Sequence, residues 1–158
     1  MPSAVSYFAY GSNLNRADMR LRCPDARPDR PARLEGWRLC FRGVADIEPA
    51  AGSAVAGALW QLSGADLGCL DAYEGAPAHY RQRIVEVETN AGPREAMTYV
   101  MTDDSYLGLP SSWYYGRIEA GYRDWGLPLS GLREAREETR ERLAGLGVGR
   151  YRPDDIHL

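Results

Sequence analysis

From Val5 to Tyr10 the chain is apolar and aromatic with Ser6 as its one polar member, a run that reads as a buried strand. It stops abruptly at Gly11-Ser12-Asn13, a tripeptide that favours a tight turn with exposed N–H groups. Residues 15–22 suit a short helix ended by Pro24, and residues 25–33, rich in Pro, Asp and Arg, read as a surface connection. Strand-like alternation returns at residues 34–41 and at 54–62, where Val55, Leu59 and Trp60 are apolar. Between them residues 43–49 read as a short strand entering a Gly-containing turn. Ser63, with Asp66 three residues later, predicts an N-cap for a helix reaching about Tyr73. Residues 80–88 alternate, with Ile84 out of phase with Val85 and Val87, and Asn90-Ala91-Gly92 supplies hairpin chemistry before a return strand over 95–101. Residues 102–110 form a loop holding Asp103 and Asp104. Two helices follow. The first carries Tyr114, Ile118, Gly121 and Trp125 on one face. The second, from about Leu132 to Leu146, has Leu132, Ala135, Thr139 and Leu143 on one side and charge spacings such as Glu138 to Arg142 on the other. No repeat or linker divides the 158 residues, so a single domain over 1–158 is expected.

Composition narrows the function classes. A net charge of −3 disfavours a nucleic-acid backbone as partner, since that calls for a basic patch. All 19 basic residues are Arg, which removes Schiff-base lysine chemistry. Cys23, Cys40 and Cys69 are odd in number and contain no CxxC, which favours free thiols in a reducing cytoplasm. No signal peptide and no stretch of membrane-spanning length is visible, so a cytoplasmic location is expected.

His79 and His157 are the only histidines, neither has a partner at helical spacing, and no metal is expected. Ser12 with His79 as base would be the nucleophilic alternative, but no G-x-S-x-G elbow surrounds Ser12; His79 reads instead as a surface or hinge residue beside Pro77. No phosphate-binding glycine loop is present. Carboxylate acid–base chemistry is what remains. Glu74 stands between an amphipathic stretch and a Gly75/Pro77 break, flanked by Tyr73 and followed by Tyr80. Enclosed by such groups its pKa would rise toward the range of proton transfer; fully solvated at a helix end it would do nothing. The Gly-Ser-Asn turn, for its part, is able to aim backbone donors at an anion or oxyanion.

Four blocks in order, Tyr10-Gly11-Ser12-Asn13-Leu14, then Gly43 to Pro49, then Glu74-Gly75 with Tyr80, Val85 and Val87, then Pro110 to Tyr114 with Gly126-Leu127-Pro128, resemble the γ-glutamylcyclotransferase family, the last block its glutathione-pathway branch. The resemblance covers residues 7 to about 145. Two positions depart from it: Gln82, where many relatives carry Arg, and Asp46, where small or hydroxyl residues are common. The resemblance implies an α+β fold, a small mixed β-barrel packed with helices. It implies a cofactor-free enzyme acting on a small-molecule γ-glutamyl substrate, with a homodimer admissible. The α-amine attacks its own γ-amide carbonyl, releasing 5-oxoproline and an amine. It further implies Glu74 as the proton carrier, backbone N–H groups of Gly11, Ser12, Asn13 and Leu14 as the substrate or oxyanion donors, Tyr10 against the glutamyl moiety and Tyr114 closing the pocket. Two other readings stay open. One is a non-catalytic binding module. The other is removal of a γ-glutamyl protecting group from a cationic biosynthetic metabolite, with Asp46, Glu48, Asp103 and Asp104 at the mouth.

Overall fold

Two long strands organise the computed structural model, which describes residues 4–147. Strands β2 (Arg27–Arg42) and β3 (Val44–Leu62) form one antiparallel hairpin turned at Gly43, whose φ of 78° suits glycine. Around them close β1 (Val5–Ala9), β4 (Tyr80–Thr89) and β5 (Gly92–Met101), giving a five-stranded barrel in the order β1-β3-β2-β4-β5. Every neighbouring pair is antiparallel except β1 with β5, which is parallel and registers only at Tyr7 opposite Met97. Side chains reinforce that short seam: Thr98 Oγ1 donates to the Phe8 carbonyl at 2.8 Å, and the Tyr10 hydroxyl to the Tyr99 carbonyl at 2.6 Å. The seam lies where β1 runs into the Gly-Ser-Asn turn. The expected small mixed barrel with helices is therefore what the chain forms.

The expected surface connection over residues 25–33 is corrected: from Arg27 onward it belongs to β2 and pairs with β3 from Gln61 to Ala56. Its prolines misled the reading because they weaken a central strand. Here β2 meets β4 only at Arg33 opposite Glu88, so the stretch before it is an edge, where a missing N–H is tolerated. The two strands expected over 43–49 and 54–62 are likewise one, with residues 50–53 skipped in the register opposite Gly36. The hairpin at Gly92 stands as expected, and Ile84 faces outward while Val85 and Val87 are buried.

Four helices pack around the barrel: α1 (Arg16–Arg22), α2 (Gly64–Glu74), α3 (Ser112–Asp124) and α4 (Leu129–Gly147). The Ser63/Asp66 capping box is present, and α2 ends at Gly75 in the left-handed conformation with φ of 64°. Leu132, Ala135 and Thr139 of α4 are buried, and Thr139 accepts from the Phe41 N–H at 3.3 Å, docking the helix on β2. The Glu138 to Arg142 spacing is not used: Arg142 reaches Glu48 on β3 at 2.6 Å instead. His157 lies outside the described residues.

Candidate active site

After β1 the chain makes a single 3₁₀ turn over Ser12–Leu14. Two indoles pin it from outside. Trp60 Nε1 donates to the Asn13 carbonyl at 3.0 Å and Trp125 Nε1 to the Leu14 carbonyl at 2.8 Å, their rings meeting edge-on at 5.4 Å. Asn15 caps α1 through its side-chain oxygen and donates its amide to the Arg117 carbonyl on α3. The turn is thus tied to β3, α1 and α3. Its first three N–H groups, those of Gly11, Ser12 and Asn13, have no hydrogen-bond acceptor among the described residues. These are the unspent donors of a tight turn, and the three residues line a cavity of about 280 Å³.

Glu74 lines the same cavity from the C-terminus of α2. Its Oε1 accepts from Asn13 Nδ2 at 2.8 Å, and the other hydrogen of that amide goes to the Tyr7 hydroxyl at 2.9 Å. Burial raises the Glu74 carboxyl to about 7, against the lowering effects of the Asn13 hydrogen bond and the Arg22 charge. Phenols make up most of the remaining wall: Tyr7, Tyr10, Tyr73, Tyr80, Tyr99 and Tyr114. The Tyr80 hydroxyl donates to the Ala45 carbonyl at 2.8 Å and the Tyr114 hydroxyl accepts from the Ala45 N–H at 3.0 Å, so one residue just past the β2–β3 turn fixes two rings. Burial holds the phenols of Tyr7, Tyr10 and Tyr80 above their ordinary value and raises Tyr114 to about 12, so they are neutral donors at physiological pH.

Of the residues singled out in the sequence, Tyr10, Gly11, Ser12, Asn13, Glu74 and Tyr114 meet in this cavity. Leu14 does not. It is fully buried and its N–H is taken by the Gly11 carbonyl at 3.0 Å, because closing the 3₁₀ turn consumes the fourth donor. Tyr114 leaves the buried face of α3, where Tyr115 packs instead with Ile118, Gly121 and Tyr122. His79 is exposed yet lines the cavity, without a hydrogen bond to Ser12. Asp46 and Glu48 are not at the mouth. Asp46 is completely buried, holding Arg42 at 2.8 Å and the Met101 N–H at 3.0 Å, and Glu48 pairs with Arg38 and Arg142. Asp103 is spent on Ser105. The Asn13 side chain, Tyr7 and Tyr99 went unread as site residues. Tyr7 alone had a signal, standing in the same aromatic run as Tyr10, whereas Tyr99 is brought in by barrel closure. Among the described residues no cluster of three His, Cys, Asp or Glu side chains suits a metal.

A family model described as gamma-glutamyl cyclotransferase, AIG2-like, matches residues 7–122. The gamma-glutamylcyclotransferase of Homo sapiens is 34% identical over 138 residues, covering 78% of this chain and 72% of the human one, and that of Bos taurus is 33% identical over the same length. A solved structure of a gamma-glutamyl cyclotransferase superposes with a TM-score of 0.76 at 30% identity, covering 87% of this chain and 86% of its own. A barrel of that fold, a carboxyl enclosed beside free backbone donors, and a family match over most of the length lead to one conclusion: the chain belongs to the gamma-glutamyl cyclotransferase, AIG2-like family and is an enzyme of that type.

Proposed function

We propose that the enzyme converts a small γ-glutamyl compound into 5-oxoproline and a free amine, with Glu74 carrying the proton. The observation that carries this reading is the Glu74 carboxyl, raised to about 7 in the cavity that the N–H groups of Gly11, Ser12 and Asn13 also border. An α-ammonium is no nucleophile and an amide nitrogen is a poor leaving group, so ring closure needs a base and then an acid. A carboxyl titrating near neutrality serves as both. As carboxylate it removes a proton from the α-ammonium, whose freed lone pair attacks the γ-carbonyl carbon. The oxyanion, or the substrate carboxylate, takes the turn's N–H donors. Glu74 then returns its proton to the departing nitrogen as the C–N bond breaks. A second proton passes from the ring nitrogen to the released amine by way of solvent, leaving 5-oxoproline with one N–H.

Because the nucleophile is tethered, orientation alone supplies roughly 7–11 kcal/mol of barrier lowering. Tyr10 and Tyr114 shape the glutamyl pocket in this scheme. The cationic-metabolite reading loses its support with Asp46 and Glu48 engaged elsewhere. Three free thiols, two of them buried, support a reducing compartment such as the cytoplasm. The test is 5-oxoproline release by wild type and Glu74→Gln, with the N-acetylated substrate as a second arm. The Gln variant should fold and lose roughly 10²–10⁴-fold in kcat with KM little changed. The acetylated compound should not react. A folded Gln variant of near-wild-type kcat removes Glu74 from the chemistry, and turnover of the acetylated compound makes the protein a hydrolase.

A further inference from the structure

Arg22 is the last residue of α1 and lies behind the cavity wall rather than in it. Its Nη1 donates to Asn13 Oδ1 at 2.6 Å. Its guanidinium carbon sits 3.9 Å from the centre of the Tyr73 ring, the residue directly before Glu74. Asp18, one turn earlier, stands 3.9 Å from Nη2 and also pairs with Arg117 of α3, which steadies the guanidinium from its other side. One cation therefore touches both the Asn13 amide that binds the Glu74 carboxyl and the ring of Tyr73, its neighbour in the chain.

The orientation of that amide follows from the donor inventory. A guanidinium only donates, so the amide oxygen must face it; a carboxylate only accepts, so the amide nitrogen must face Glu74. We propose that Arg22 is a positioning residue for the Glu74 carboxyl: it locks the Asn13 amide so that Nδ2 is presented to Glu74 and Tyr7. The role rests on Glu74 as the proton carrier. Without the guanidinium the amide is free to turn its oxygen to the carboxylate, which is repulsive and favours the protonated acid. Less base is then present at neutral pH. Phenols face Glu74 from β1, β4, β5 and α3 (Tyr7, Tyr80, Tyr99 and Tyr114), Tyr10 follows β1, Tyr73 precedes it on its own helix, and His79 borders the cavity beyond Gly75. Arg22 is the cation that acts on its charge.

The test compares wild type with Arg22→Met, which removes donor and charge but keeps an apolar stem for the Tyr73 ring, and Arg22→Lys, which keeps a charge without the planar fork. Two readouts are used: the acidic limb of kcat/KM, and the titration of the Glu74 carboxyl itself by infrared difference spectra referenced to Glu74→Gln. Arg22→Met should raise both by about one unit, the size expected for losing a neighbouring opposite charge and a hydrogen bond to the ionised form. That makes kcat/KM at pH 6 roughly tenfold lower than any loss seen at pH 9. Arg22→Lys should fall between. In an Asn13→Leu background Arg22→Met should shift both readouts clearly less than it does alone, because the amide's part is gone and only the direct charge of Arg22 remains to be lost. A folded Arg22→Met protein with both readouts unmoved overturns the proposal, as does a full shift persisting in the Asn13→Leu background. If Arg22→Met does not fold, Arg22→Lys carries the same two readouts, and no shift there overturns it. A shifted carboxyl titration in an enzyme whose Glu74→Gln variant remains active upholds the positioning and removes the proton role.

Discussion

In the proposed ring closure Glu74 must be ionised for the reaction to begin, yet its surroundings favour the acid. Asn13 Nδ2 and the Arg22 charge soften the desolvation without cancelling it, which leaves the carboxyl near 7 rather than near 4.5. The same imbalance has a stability consequence. A carboxyl whose folded value is raised contributes its full stability below the unfolded value of about 4.5, and that contribution is lost as pH rises through the folded value of about 7. Between those limits wild type should lose up to about 3 kcal/mol relative to a variant with no charge to bury. Glu74→Gln is that variant. Urea denaturation at pH 4 and pH 8 should show the two proteins similar in the acid and the Gln variant more stable above neutrality. An equal offset at both values would mean the carboxyl is solvated in the folded state.

The elements exist to hold the Ser12–Leu14 turn still, and α3 does so by close approach. A Cβ on Gly121 would lie 2.7 Å from both the Asn15 nitrogen and the Leu14 Cβ, so α3 touches the turn backbone as only glycine permits. Gly116, on the exposed side of the same helix, has open space around it. Gly121→Ala should therefore cost about 1–3 kcal/mol through overpacking and lower kcat by displacing the turn's donors. Gly116→Ala should instead stabilise by roughly 0.5–1 kcal/mol with activity kept. Denaturation midpoints and kcat for the pair separate helix propensity from the contact.

At the scale of the molecule, the turn end of the β2–β3 hairpin is anchored by a buried ion pair. Arg42 and Asp46 side chains are 3% and 1% exposed, with Arg42 also donating to the Tyr106 carbonyl and Asp46 accepting from Met101 on β5. The pair joins the hairpin, the barrel edge and the loop before α3, one residue away from Ala45 and the rings it fixes. Removing one partner strands the other charge, and Asp46→Ala should cost about 3–5 kcal/mol in urea denaturation. Replacing both, as Arg42→Met with Asp46→Leu, should recover much of that loss. If the single and double variants prove equally unstable, the pair's remaining hydrogen bonds to Tyr106 and Met101 outweigh the stranded charge.

What the amino-acid order determined alone is whatever depends on a few neighbouring residues: the Ser63/Asp66 capping box, the hairpin at Gly92, the inward phase of Val85 and Val87, and the stop at Gly11-Ser12-Asn13. The family pattern singled out Glu74 and the role proposed for it. Tertiary structure decided the rest, because the deciding contacts join distant parts of the chain. Only pairing with β3 makes residues 27–33 a strand, and only the docking of α4 on β2 brings Arg142 within reach of Glu48, which it takes rather than Glu138. Only the closed turn removes Leu14 from the donors. The site itself is of this second kind: Asn13 and Glu74 are 61 residues apart, and barrel closure with the docking of α2 brings them within 2.8 Å. Local preference shapes each piece, and burial of the shared apolar core sets which pieces meet.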